Sequence, residues 1–180
     1  MIAPTLSATD AEGPAHRRVD VSIPPLDLPG ILRMPETATG LIIFAHGSGS
    51  SRFSPRNNYV AAALGRAGFA TLLFDLLSPG EEADRRNVFD IPVLARRVCH
   101  AIDWAVAAVP MAGLPIGLFG ASTGSAAAVT AAAERPDAVA AIVSRGGRPD
   151  LAMAVLDKVQ APTLLLVGSR DGEVLRLNQM

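Results

Sequence analysis

Five apolar runs of strand length recur between Gly40 and Gly168: GLIIFAHG, FATLLFD, LPIGLFG, AVAAIVS and APTLLLVG. Each is apolar at consecutive positions, the pattern of a strand covered on both faces. Between them lie segments of helical period at 57–67, 90–109 and 122–134. The second of these places Ile91, Leu94, Val98, Ile102, Ala105 and Val109 on one stripe. Strand, helix and strand in repeated succession demand a mostly parallel sheet with helices on both faces, because parallel neighbours need a crossover. Ahead of them VDVSI (Val19 to Ile23) alternates, and LPGILRM supplies a second strand through the Pro24-Pro25 turn, which predicts an antiparallel start. The fold class that follows is α/β, a mostly parallel doubly wound sheet with antiparallel N-terminal strands. Functional groups in such sheets gather at the carboxyl ends of the strands.

At 180 residues, 49% hydrophobic and 18% charged, the chain supports one core. Residues 1–18 have no apolar period and read as a flexible arm ahead of a single domain over 19–180. A net charge of −1 with scattered arginines excludes a nucleic-acid or anionic-membrane footprint. No run reaches the roughly 18 apolar residues that span a bilayer, and the start lacks the basic-then-apolar order of a signal peptide. The lone Cys99 forms no intramolecular disulfide, in keeping with a reducing compartment. The expectation is a cytoplasmic protein that acts on a small molecule, with no cofactor and no metal.

The most informative stretch is GLFGASTGSAAAV, where Gly120-Ala121-Ser122-Thr123-Gly124 joins an apolar strand to an alanine-rich helix. A G-x-S-x-G at a sharp strand-to-helix turn lifts its serine clear of the sheet, and the glycines let neighbouring chain pass close by. Two readings follow, a nucleophilic Ser122 or a small residue that packs in a tight turn. Upstream, His46-Gly47-Ser48-Gly49 follows another strand and can aim backbone N–H groups into the same cleft. Acyl transfer needs two such donors for the oxyanion; Thr123 would supply one, and Ser48, or Gly47, the other. Gly47-x-Gly49 after a strand also begins a dinucleotide fingerprint, but Arg52 stands where its third glycine belongs. Arg52 and Arg56 flank this loop, and Arg145 follows a further strand; Arg52 and Arg145 are candidate substrate contacts.

FAHGSGSS, GLFGASTGSAAAV, VSRGGRPDL and APTLLLVGSRD, in this order from about Gly40 to the C-terminus, resemble an α/β-hydrolase of the dienelactone-hydrolase-like branch with serine in place of cysteine. The resemblance implies a Ser, Asp, His triad in that chain order, with Ser122 as nucleophile and Asp171 as acid. It implies a histidine after the acid, yet His100 is the last in the chain. His46 belongs to the oxyanion loop, where the family uses the ring to shape the loop. His100 lies on a helix flank one turn from Trp104, and His16 is in the arm. Asp75, at another strand end, reads as a supporting or alternative acid. The expectation is a sequence truncated at its C-terminus, missing a final strand and helix of about 35 to 45 residues on ordinary domain size. The activity implied is that of a serine hydrolase on an ester, lactone or related acyl substrate. The rival reading is a non-catalytic binding module on the same fold.

Overall fold

The computed structural model describes residues 17–108 and 111–179. Among them seven strands form one sheet in the order β1-β2-β4-β3-β5-β6-β7. The strands are β1 (Arg17–Ile23), β2 (Leu28–Met34), β3 (Leu41–Ala45), β4 (Ala70–Phe74), β5 (Ile116–Ala121), β6 (Val139–Arg145) and β7 (Thr163–Leu166). β1 and β2 are antiparallel and β2 runs antiparallel to β4, while β4, β3, β5, β6 and β7 are mutually parallel. The α/β class and the antiparallel start are as the sequence pattern predicts. β1 begins at Arg17, two residues before the alternating stretch, because both arginines extend the ladder with Met34 and Arg33. The rest of the expected arm lies outside the described residues.

Helices α1 (Pro55–Arg66), α4 (Ile91–Ala107) and α5 (Thr123–Glu134) occupy the three helical segments. Their starts are set by side chains that accept otherwise orphaned N–H groups. Ser54 Oγ accepts from Asn57 N–H at 3.3 Å with Pro55 behind it, so α1 begins two residues earlier than its periodicity suggests. Asp90 Oδ1 accepts from Val93 N–H at 3.0 Å and starts α4. The short helices α2 (Pro79–Glu82) and α3 (Arg85–Val88), and a 3-10 segment at Pro149–Lys158, escape a periodicity reading. Four residues complete barely one turn, too few for a stripe to repeat. A last helix, α6 (Gly172–Leu177), follows β7.

Side-chain alternation divides the central strands between two cores. Leu41, Ile43, Leu72, Phe74 and Leu118 join the larger core with α4 and α5, whereas Phe44, Leu73 and Phe119 meet Ala61 of α1 on the opposite face. The Phe44 and Phe119 rings are 5.0 Å apart between centroids. Ala126, Ala127, Ala128, Ala131 and Ala132 of α5 are all buried, and their small side chains let this helix lie close against the sheet and α4. β7 is an outer strand, at the opposite edge of the sheet from β1. Its Leu164, Leu165 and Leu166 are 56%, 44% and 44% exposed, an apolar edge of the kind the sequence pattern implies.

Cys99 is buried where α4 meets α5, with its thiol donating to Glu134 Oε2 at 3.4 Å. Burial first, then the Glu134 carboxylate, push its pKa up to about 12. Only the thiolate is nucleophilic, so in the folded protein Cys99 is expected to react with a disulfide reagent at pH 7.5 at least about a hundredfold more slowly than in denaturant. Equal rates of colour release in the two states would contradict this burial.

Candidate active site

The sheet changes direction of winding at β3: the chain passes from β3 to β4 on one side, then returns to place β5 on the other. Such a switch point opens a crevice at the carboxyl ends of the two diverging strands. Ala45 pairs with Gly120, so the loop after β3 and the turn after β5 emerge side by side. Residues 75 apart in the sequence are thereby brought side by side.

Ser122 sits in that turn at φ 52°, ψ −123°, a left-handed conformation that costs a non-glycine residue on the order of 1–3 kcal/mol. It is exposed, although Ala121 and Thr123 on either side are buried. The expected helix start at Ser122 is corrected to Thr123, because the serine backbone turns the corner. A Cβ at Gly120 would lie well inside 3.0 Å of the Ser125 backbone, and one at Gly124 equally close to the carbonyl oxygens of Ala45 and His46. The two glycines are therefore steric requirements of the corner. Beside it, Ser125 Oγ donates to Ser144 Oγ at 2.5 Å, tying the first turn of α5 to β6.

The loop after β3 is held over this corner at two points. Leu76 N–H donates to His46 Nε2 at 3.1 Å, which assigns the ring proton to Nδ1, 3.0 Å from the Gly47 carbonyl oxygen. Both ring nitrogens are thus occupied, and His46 shapes the loop. At the other end Arg52 N–H donates to Asp75 Oδ1 at 2.7 Å, and the Arg52 guanidinium pairs with Asp75 Oδ2. That guanidinium also lies over the Phe53 ring, 4.2 Å from its centroid. Arg52, a candidate substrate contact from sequence, clamps the loop through Asp75, which neutralises its charge. The pairing of residues 23 apart is invisible to spacing arguments.

Burial lowers the His46 pKa below the ordinary histidine value, against smaller opposing effects of the Gly47 carbonyl and the charges of Asp75 and Glu82. The unfolded chain therefore takes up the proton more readily. The stability contributed by neutral His46 is complete above the unfolded value of about 6.5 and is lost as pH falls from there through the lower folded value. Melting temperatures measured from pH 8 to pH 5 should fall less for His46→Gln than for the wild type. Parallel pH curves for the two proteins would refute this role for the ring.

Ser48 and Thr123, the two expected oxyanion donors, are in contact, with Ser48 N–H donating to Thr123 Oγ1 at 3.1 Å. The Ser48 amide is engaged in this state, whereas Thr123 N–H, at the first position of α5, has no partner within its own helix. Asp171 lies after β7, at the same end of the sheet and two strands across from Ser122. There its Oδ1 accepts from Val174 N–H at 3.2 Å and caps α6. Arg145 ends β6 opposite Ala121, and its carbonyl accepts from Ser122 N–H at 3.4 Å. Its side chain donates to Asn57 Oδ1 at 3.1 Å. Asn57 is 2% exposed, although a polar residue in a first helical turn ordinarily reads as solvated, so no sequence signal marks it. His100 is partly exposed on α4, away from this turn in the chain, with Nδ1 unpaired. His16 lies outside the described residues.

Among the described residues no group of three or more His, Cys, Asp or Glu is arranged to hold a metal ion, and no helix is long and apolar enough to cross a membrane.

The profile of a family described as alpha/beta hydrolase fold matches residues 40–179. The crystal structure of a dienelactone hydrolase from Anabaena variabilis is 52% identical, with a TM-score of 0.87 over 92% of this chain and 79% of that one. A dienelactone hydrolase-like promiscuous phosphotriesterase from metagenomic libraries shares the fold at 20% identity, with a TM-score of 0.64 over 92% of this chain and 74% of that one. A provisionally named phosphoribosyl transferase of Mycobacterium tuberculosis is 56% identical over 161 residues, or 89% of this chain. The chain spans only 36% of the length of that relative.

Proposed function

Because this chain belongs to the alpha/beta hydrolase fold family, with a dienelactone-hydrolase-like fold, we propose that it carries the nucleophile of a serine hydrolase acting on ester, lactone or related acyl substrates. The observation that carries this reading is Ser122: exposed, strained, and seated at the start of α5 between two glycines that admit no side chain. Strain of this kind persists where surrounding structure over-determines it, and it aims the hydroxyl into the crevice.

In the proposed reaction Ser122 Oγ attacks the acyl carbon and the carbonyl oxygen becomes an oxyanion. Thr123 N–H donates to it, aided by the positive end of the α5 dipole. Ser48 N–H gives the second bond by exchanging its Thr123 hydroxyl acceptor for the oxyanion. The hydroxyl proton must go to a base, because a free serine is a weak nucleophile near neutral pH. His46 has both nitrogens committed, so the base is a histidine other than His46, oriented by Asp171 once that carboxylate leaves its capping bond. The substrate is a small molecule, and no cofactor takes part. The transferase name of the mycobacterial relative covers a protein of which this chain matches a minor part, and no residue described above suggests ribosyl transfer.

Covalent labelling in the presence of imidazole, as an external base, tests the nucleophile. A fluorophosphonate should leave its adduct on the peptide containing Ser122, and an adduct elsewhere or none at all would remove the assignment.

A further inference from the structure

Asn58 commits its whole side-chain amide to three groups. Its Oδ1 accepts from Arg33 Nη2 at 2.6 Å, and its Nδ2 donates to the Arg52 and Ser54 carbonyl oxygens, each at 2.9 Å. With a cation on one side and two carbonyls on the other, only one orientation of the amide satisfies all three. Arg52 and Ser54 close the loop that starts at His46, just ahead of α1. Asn58 therefore ties that loop to α1 at a third point, besides the anchors at His46 and Asp75. Arg33 is the unusual member. It stands on β2, opposite Arg18 of β1 and Thr71 of β4, and three strands across the sheet from β5 and the Ser122 corner. Arg52, Arg97, Arg135 and Arg148 each meet a carboxylate, whereas the described side-chain acceptor of the half-buried Arg33 is the neutral Asn58 amide. Its Nη1 is buried without a partner, and burial, then the charge of Arg18, lower its pKa.

A desolvated guanidinium without a carboxylate adds little to stability. What it does fix is the direction in which Asn58 faces. We propose that Arg33 and Asn58 are positioning residues of the oxyanion loop: Arg33 sets the Asn58 amide, the amide holds the Arg52 and Ser54 carbonyls, and the loop so held presents Ser48 N–H at the Ser122 corner. The antiparallel β2 thereby reaches the crevice through α1. The inference rests on Ser122 as nucleophile and Ser48 as oxyanion donor for its link to turnover, and on the hydrogen bonds alone for the anchoring of the loop.

Asn58→Asp separates positioning from stability. The carboxylate strengthens the pairing with Arg33 and sits near the start of α1, where an acid is favoured, so the melting temperature should hold at or above that of the wild type. It has no donor for the Arg52 and Ser54 carbonyls and repels them. With fluorophosphonate and imidazole, the maximal rate of Ser122 labelling should fall by about tenfold or more, while the half-saturating concentration changes less than about twofold. Arg33→Met should lower the maximal rate in the same way, and Arg33→Lys should recover part of it. Amide hydrogen exchange reads the loop without chemistry: Ser48 and Arg52 N–H, bonded to Thr123 Oγ1 and Asp75 Oδ1, should exchange about tenfold faster in Asn58→Asp. Labelling at the wild-type rate, or unchanged exchange at these two amides, overturns the proposal. Should Asn58→Asp melt lower, the Arg33 pair carries the same test, and equal maximal rates in Arg33→Met and the wild type overturn it. Faster exchange in Asn58→Asp, with no label on Ser122 even in the wild type, would leave the anchoring of the loop standing and the hydrolase reading refuted.

Discussion

Ser122→Ala is expected to bring hydrolysis of 4-nitrophenyl acetate by this chain down to the rate of buffer, about a hundredfold or more below the wild type when imidazole is present. Imidazole matters because neither described histidine is placed to accept the serine proton: His46 holds Leu76 N–H and the Gly47 carbonyl, and His100 is on α4. A positioned base accelerates such a step by about 10²–10⁴, so a diffusing one should raise the Ser122-dependent rate by on the order of tenfold. A variant that responds to imidazole as the wild type does would show that the ester is cleaved elsewhere. Stability gives an independent reading of the same residue. Alanine at φ 52° is as strained as serine, so Ser122→Ala should melt with the wild type. Ser122→Gly relieves that strain and should raise the melting point by a few degrees, about 1 kcal/mol of stability, while removing activity. Strain kept at a position where glycine would be more stable is what a functional side chain explains and packing alone does not.

The second large effect concerns Gly124. A methyl group there meets the carbonyl oxygens of Ala45 and His46, and neither can yield easily. Ala45 is paired with Gly120 in the middle of the sheet, and His46 is anchored to Leu76. Gly124→Ala should therefore cost at least about 3 kcal/mol, a large part of the stability of a domain this size, and lower the melting temperature by about 10 °C. Gly168→Ala is the matched control, since a Cβ at that position meets nothing within 4 Å. Similar melting points for the two variants would mean that the corner is not as tightly closed as the packing of β3 against α5 indicates.

Much of the fold was legible in the sequence because its causes are local. Consecutive apolar residues at strand length, the helical stripe from Ile91 to Ala105 and the glycines around Ser122 report burial, periodicity and steric clearance within a few residues of one another. What failed did so for equally local reasons: α2 and α3 are shorter than one repeat, and α1 starts at a cap, Ser54, that lies outside its apolar period.

The candidate site divides along the same line. By itself the sequence determined that Ser122 occupies a sharp strand-to-helix corner, since Gly120 and Gly124 are needed there whatever packs around them, and that a glycine-rich loop follows β3. Only the tertiary structure decided the roles of the charged groups. Arg52 and Arg145 look alike in sequence, each beside a strand-end turn. Yet Asp75 reaches the first and turns it into a clamp, while the second is left facing Asn57 and an open cavity next to Ser122. His46 likewise became a loop anchor when Leu76 N–H arrived at its Nε2 from the loop after β4. The reason is physical: a backbone conformation is fixed by nearest neighbours, whereas the work a charge or an imidazole can do depends on which distant partner has already neutralised it.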